Sequence, residues 1–408
     1  MNVADPTKPK FAALPPLSLY VHVPWCIRKC PYCDFNSHEA RGEVPESRYV
    51  DALLADLEAT LPLVWGRKVV SVFVGGGTPS LFSAESIDRL LGGIRARLPV
   101  VPGAEITLEA NPGTFERQKF AGFFAAGVNR LSLGVQSFDP AQLRALGRVH
   151  DDDEARRAAE SALMIFGNVN FDLMYALPNQ TVEGAQADLA CALSFAPPHL
   201  SFYHLTLEPN TLFHKSPPPL PDEDTAADIE GAVHATLAHA GYAHYETSAY
   251  AKPGRACVHN TNYWQFGDYL GIGAGAHAKL SFPDRIVRQL RWKQPRQYLS
   301  KVAEGVPLQD ETVVTRDEVG FEFMLNALRL TDGVPASFFA ERTGYPLALV
   351  SRALEEATRK GLVEANPQRL RATELGRRFQ NDLLELFLPA SPRKAVRRVT
   401  MEATGVER

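Results

Sequence analysis

The chain has 408 residues, 45% of them hydrophobic and 22% charged, with 43 basic against 47 acidic side chains and a net charge of −4. That length exceeds what one hydrophobic core usually holds, so two domains are expected. The slightly acidic balance argues against a nucleic-acid or polyanion binder, and the polar start MNVADPTKPKF argues against a secretory signal or membrane span.

In chain order, residues 1–16 are expected to be flexible. Leu17 to Val23 is predicted as a short apolar strand leading into Cys26, Cys30 and Cys33. Arg48 to Leu61 carries helical spacing through Tyr49, Leu53, Leu54 and Leu57. Val69 to Val74 reads as a buried strand stopped by Gly75-Gly76-Gly77, and Ser83 as the N-cap of a helix running through Leu98. The alternation continues with strands at Glu105 to Leu108, Arg130 to Val135, Val169 to Met174 and Leu200 to Leu205. The intervening helices are Thr114 to Ala126, Asp152 to Phe166, Thr181 to Phe195 and Asp222 to His239. Such alternation predicts an α/β fold with a parallel sheet. Polar residues at the C-terminal ends of strands favour a partial or full (β/α) barrel over residues 17–290.

Residues 291–310 read as connection. Helices are predicted at Val319 to Leu330, Pro335 to Thr343 and Leu347 to Lys360, then a hairpin of Leu362 to Glu364 with Arg369 to Ala372, then a helix from Thr373 to Leu388. This gives a winged-helix-like α+β domain at 311–390. Its third helix is not strongly basic, so a packing or partner role is preferred over DNA binding. Residues 391–408 are expected to form a mobile tail.

Three of the five cysteines fall within eight residues, spaced C-x3-C-x2-C. The other two make no disulfide framework, which fits a reducing, cytoplasmic compartment where such a cluster reads as metal-binding or catalytic. Three thiolates can hold an iron–sulfur cluster and leave one iron open to a small chelating molecule. A zinc ion completed by His22 or His38 is the alternative. Arg28 and Lys29 beside the thiols are expected to lower their pKa values. Further along, Gly75 to Ser80 (GGGTPS) follows a strand and lets backbone approach a ligand closely. It lacks the Lys-Ser/Thr pair of a phosphate loop. Glu109, Gln136, Arg148 and Asp172 end or follow strands and together suit an amino acid and a ribose, with arginine able to grip a carboxylate at two points.

The CxxxCxYC pattern resembles the signature of the radical S-adenosylmethionine (SAM) superfamily, in which three cysteines hold a [4Fe–4S] cluster and SAM chelates its fourth iron. The run YVHVPWCIRKCPYCDF, GGGTPS, LEANPG, RLSLGVQSFD, LGRVHD, DLMYALPNQT, FYHLTLEPNT and YLGIGAGAH resembles the oxygen-independent coproporphyrinogen III oxidase family over nearly the whole chain. The resemblance implies the cluster on Cys26, Cys30 and Cys33. It implies SAM contacts at Tyr20, Tyr32, Gly76, Gly77, Thr78, Glu109, Gln136, Arg148 and Asp172, with Tyr203 and His277 as further contributors.

Within that family the chain is similar to the heme-chaperone paralogues. The oxidases carry a further cysteine two residues after the third ligand, where Phe35 stands here, and a longer N-terminal extension. The segment His259-Asn260-Thr261-Asn262-Tyr263-Trp264 resembles the heme-associated HNxxYW motif of the chaperones. A neutral imidazole suits heme iron, and Tyr263 and Trp264 offer flat apolar faces. The other reading is that His259 and Asn260 cap a turn while Tyr263 and Trp264 pack under the barrel. Cys257 and His214 are further candidate iron ligands. The resemblance thus implies a heme-binding protein that delivers heme to acceptors in the respiratory chain, peripheral at the membrane through them, able to form a homodimer and without coproporphyrinogen oxidase activity. The alternative is a radical enzyme acting on a tetrapyrrole.

Overall fold

The computed structural model describes residues 8–113 and 116–389. The expected mobile tail and the first seven residues lie outside them, as does Thr114, where a helix was expected to begin. The described fold rests on a twelve-stranded sheet. Its strands are β1 Leu17–Val23, β2 Val69–Gly76, β3 Val100–Ala110, β4 Arg130–Gln136, β5 Val169–Tyr175, β6 His199–His204, β7 Ala243–Glu246, β8 Ala249–Ala251, β9 Asp268–Ile272, β10 His277–Phe282, β11 Arg285–Arg291 and β12 Leu308–Val313. The spatial order is β12-β11-β10-β9-β1-β2-β3-β4-β5-β6-β8-β7. From β9 through β1 to β6 all neighbours are parallel, and antiparallel strands flank this block on both sides. Among the described residues β7 and β12 are left as edges, so the barrel is partial rather than closed.

Helices α1 Glu46–Thr60, α2 Ala84–Arg97, α3 Glu116–Ala125, α4 Asp152–Ile165, α5 Val182–Ser194 and α6 Glu223–His239 follow the parallel strands. Their starts carry the polar caps a helix needs to satisfy its first N–H groups. Ser83, Thr181 and Asp222 each accept a backbone N–H of the first turn, and Asp151 with Glu154 forms a reciprocal capping box on α4. Leu19, Val21, Val74, Leu108, Leu133 and Phe171 are fully buried in the core between sheet and helices.

Residues 291–310 are more than connection. They contain α8 Pro295–Ala303, packed on α1, and the first residues of β12. One buried carboxylate fixes this region. Asp56 accepts from Tyr298 OH at 2.8 Å and Gly273 N–H at 3.2 Å, and pairs with Arg291 at 3.3 Å.

The C-terminal unit comprises α9 Arg316–Ala327, α10 Ser337–Thr343 and α11 Ser351–Arg359 around Phe323, Phe339 and Leu383. The expected hairpin survives only as a single bridge, Val363 to Ala372. Arg369 and Leu370 pair instead with Val334 and Pro335 ahead of α10. The expected last helix is two, Glu374–Arg378 and Gln380–Glu385, broken at Phe379. Trp264 and Phe266 of the barrel belong to this second core, so the unit packs beneath the sheet. No helix of the described residues is long and apolar enough to cross a membrane.

Candidate metal centre and cofactor site

The loop after β1 is tied down at both ends. Trp25–Cys26 forms a short ladder with His38–Glu39, and Cys33 N–H donates to Cys30 O at 3.1 Å. Lys29 Nζ donates to Phe35 O at 3.0 Å and Ser37 O at 3.3 Å, closing the loop on itself. Asn36 Nδ2 reaches Ala274 O and Lys293 O, both at 2.9 Å, and so fastens the loop to the turn between β9 and β10. Gly273 in that turn has φ +104°, and a Cβ there would lie 2.4 Å from His22 O. Only glycine lets the turn close behind the cysteines.

All three thiols are free and half-buried, and they line one cavity of about 360 Å³. Three thiols converging on one cavity from a C-x3-C-x2-C loop suit an iron–sulfur cluster with one iron left open. Of the imidazoles offered for zinc, His22 is committed elsewhere. His22 has Nδ1 2.7 Å from Tyr20 OH and Nε2 2.9 Å from Asn36 O, and neither His22 nor His38 lines the cavity. The expected cationic lowering of the thiol pKa values is overridden. Burial pushes Cys26 and Cys33 up, and the cation Lys29 is a lesser influence on Cys33 than burial or the Ser37 hydrogen bond.

Strand ends supply the rest of the wall. β2 delivers the glycine segment. Gly77 N–H donates to Val23 O and Thr78 N–H to Trp25 O, both at 2.7 Å, and a Cβ on Gly77 would sit 2.5 Å from Trp25 O. The backbone of this segment can lie against the cluster loop only without a side chain there. Gly76 N–H donates to Glu109 Oε2 at 2.8 Å. Burial, then the neighbouring Asp172 charge, pushes Glu109 up to about 8. Asp172 is held by Ser132 Oγ at 2.9 Å and Asn170 Nδ2 at 2.8 Å, and burial raises its pKa too. Arg148 is clamped by Asn111 Oδ1 at 2.7 Å and Gly134 O at 2.8 Å, and its Nη1 lies 3.5 Å from Cys30 Sγ. Its Nε is buried without a partner, a donor left over for a ligand carboxylate. Gln136 ends β4 with φ 68°, which turns the chain at the wall.

Nine of the eleven expected SAM contacts line this cavity: Tyr32, Gly76, Gly77, Thr78, Glu109, Gln136, Arg148, Asp172 and Tyr203. Tyr20 and His277 do not. Tyr20 lies beneath it, bonded to His22, and His277 is exposed at the start of β10. Asn111 and His204 line the cavity and were not anticipated. Asn111 was within reach, since it follows Glu109 in LEANPG and its Nδ2 bonds Thr78 Oγ1 at 2.9 Å.

The HNxxYW segment lies elsewhere. It forms helix α7, Val258–Trp264, packed across β1, β2 and β9 with none of its residues in the cavity. His259 is 4% exposed and stacks on Phe73 at 4.2 Å. Its Nδ1 bonds Glu105 Oε1 at 2.9 Å, and Cys257 Sγ lies 3.5 Å from its Nε2. Burial alone would raise Glu105, but the His259 hydrogen bond and Arg130 hold it at about 2. Glu105 also accepts the Val258 and His259 N–H groups, anchoring the start of the helix. Tyr263 meets Tyr269 edge-on, and Trp264 stacks under Arg329 at 4.3 Å. In this structure the motif packs against the strands of the barrel, with Cys257 buried beside it. Of the second alternative, the packing of Tyr263 and Trp264 is what is found, whereas the N-cap is Cys257.

Two family models match the chain: the radical SAM superfamily over residues 20–190, and the HemN C-terminal domain over residues 314–379. The protein named heme chaperone HemW from Escherichia coli is 50% identical, covering 92% of this chain and 99% of that one. The protein of the same name from Bacillus subtilis is 34% identical over 91% and 99%. The solved structure of coproporphyrinogen III oxidase (HemN) from Escherichia coli superposes with a TM-score of 0.78 at 26% identity, covering 92% of this chain and 90% of that one. With a cavity built by radical SAM motifs and full-length likeness of this degree, the chain belongs to the HemW family of the radical SAM superfamily.

Proposed function

We propose that this protein is a heme chaperone, carrying a [4Fe–4S] cluster on Cys26, Cys30 and Cys33 and SAM beside it, and delivering heme to respiratory-chain acceptors. The observation that carries the reading is the full-length likeness to proteins named heme chaperone HemW. The orphaned Arg148 Nε and the nine lining residues support a site for an amino acid and its ribose. When bound, cluster and SAM supply one-electron chemistry at a sulfonium. The chain's own residues would do the holding. Arg148 offers a donor to a carboxylate, the Gly76–Thr78 backbone lies alongside, and Asp172 with Gln136 suits ribose hydroxyls. Phe35, where the family's oxidases resemble one another in a further cysteine, goes with loss of coproporphyrinogen oxidation. Delivery to respiratory acceptors would take a cytoplasmic protein to the membrane surface, and pairing of two copies belongs to the same reading.

The test is anaerobic purification followed by iron, sulfide and heme quantification. It is paired with transfer of bound heme to heme-depleted respiratory membranes. Protein that binds heme and restores membrane heme supports the reading. Conversion of coproporphyrinogen III to protoporphyrinogen with reductant and SAM would overturn it. That outcome would favour the second reading, a radical enzyme on a tetrapyrrole, for which the observation is the TM-score of 0.78 to the oxidase.

A further inference from the structure

Asn111 joins groups that the chain presents far apart. It stands just past the end of β3, where Pro112 behind it favours an extended backbone. Its N–H donates to Ser80 Oγ at 3.4 Å. The two ends of its side-chain amide are used in opposite senses. Oδ1 accepts from Arg148 Nη2 at 2.7 Å, and Nδ2 donates to Thr78 Oγ1 at 2.9 Å. A guanidinium can only donate, so the oxygen must face Arg148 and the NH₂ must face Thr78. The neighbouring strand is bare where the amide lies: a Cβ on Gly134 would sit 2.7 Å from Asn111 Oδ1.

Each arm of this link ends on a cysteine of the loop. Arg148 Nη1 lies 3.5 Å from Cys30 Sγ, and the Thr78 side chain is hydrogen-bonded to the Cys26 thiol. A hydroxyl has one proton. Because Thr78 Oγ1 already accepts from Asn111, that proton is left for the sulfur. An acceptor in place of the Asn111 NH₂ would draw it the other way. Hydrogen bonds to thiolate sulfurs are among the groups that set the potential of an iron–sulfur cluster, since each draws electron density from the sulfur and favours the reduced form. The other arm holds Arg148 by Nη2 and leaves its Nε unpaired toward the cavity. One amide therefore acts on both halves of the site.

We infer that Asn111 is a positioning residue of this centre: through Thr78 it aims a hydrogen bond at Cys26, raising the reduction potential of the cluster, and through Arg148 it presents a guanidinium to the SAM carboxylate. The inference rests on the cluster-and-SAM part of the proposed function and deepens it.

The experiment uses anaerobically reconstituted full-length protein, with iron and sulfide counted for every sample. Wild type is compared with Asn111→Asp, Asn111→Leu and Thr78→Val. A redox titration followed by electron paramagnetic resonance, without SAM, gives the potential. Equilibrium dialysis against SAM with the cluster oxidised gives the dissociation constant. All three variants should have a lower potential, so that at a fixed solution potential the reduced-to-oxidised ratio falls threefold or more. SAM binding should weaken tenfold or more in both Asn111 variants, because aspartate neutralises Arg148 and leucine releases it. The double variant Asn111→Leu with Thr78→Val should lie no lower in potential than Asn111→Leu alone, since both cut the same chain to Cys26. A merely structural role would lower iron content or the unfolding midpoint and leave the potential of the loaded fraction where it was. Wild-type potential in loaded Asn111→Asp and Thr78→Val overturns the inference, as does wild-type SAM affinity in both Asn111 variants. Should Asn111→Asp take up no iron, Asn111→Leu and Thr78→Val decide in the same way. Wild type that takes up no cluster overturns the cluster reading itself and the inference with it, so the two failures are told apart by which protein shows them.

Discussion

Glu109 should make the stability of this protein depend on pH in a way that one substitution removes. Its carboxyl is pushed from the usual 4.5 to about 8 by burial and then by Asp172. Below pH 4.5 the group is protonated in folded and unfolded chains alike and imposes no penalty. Between 4.5 and 8 the unfolded chain ionises while the folded one keeps its proton. Stability therefore falls as pH rises, and the fall ends above the folded value. A shift of about 3.5 units at 1.36 kcal/mol each sets a ceiling of about 5 kcal/mol. Glu109 lines a cavity that water can enter, so roughly 2–5 kcal/mol is expected. Glu109→Gln keeps the acceptor for Gly76 N–H and removes the charge. Urea unfolding of the reduced, cluster-free protein at pH 5 and pH 8.5 should show the variant gaining that amount relative to wild type as pH rises. A wild-type-minus-variant difference that does not change with pH refutes the reasoning. By the same logic a cationic ligand in the cavity favours the ionised carboxylate. SAM binding at pH 7 should thus release a proton, seen as a buffer-dependent heat in calorimetry.

Cys30→Ala should abolish the broad visible absorbance of an anaerobically reconstituted cluster, while Cys191→Ala, outside the cavity, should keep it; cluster absorbance retained in the first variant removes the assignment. Gly77→Ala forces a Cβ to within 2.5 Å of Trp25 O, which must displace backbone on one side or the other. An overpacking cost of about 1–3 kcal/mol is expected in unfolding experiments, with SAM affinity weakened by tenfold or more. Asp56→Ala leaves Arg291 buried without its carboxylate and should cost about 3–5 kcal/mol, measured by chemical denaturation. If Asp56→Ala unfolds at the wild-type midpoint, the buried pair does not hold the last strands to α1.

What could be read in advance follows from how local each signal is. The parallel strands from β1 to β6 were visible as apolar runs because both their faces are buried, and the cap at Ser83 was visible because capping is decided within a single turn. Strand β12 escaped because LQDETV is a polar edge strand with half its residues facing solvent. Helix α8 escaped although Pro295 stands at its first turn, where proline marks a start. The barrel's failure to close is a matter of which distant strands pair, and no window of sequence carries that. The same holds for the packing of α7. His259 looks unengaged in its own segment, and only the fold brings Glu105, 154 residues earlier, to its Nδ1.

The position of α7 beneath the sheet also dictates an order of events. Glu105 pins α7 beneath the sheet, while the mouth above opens past the cysteine loop. A cavity entered at its mouth is filled from the bottom. Whatever sits deepest goes in first and comes out last, and a wide guest across the doorway shuts in everything below it. On the proposed chaperone reading, a cargo across the mouth would act as the stopper, and its delivery would reopen the chamber to exchange.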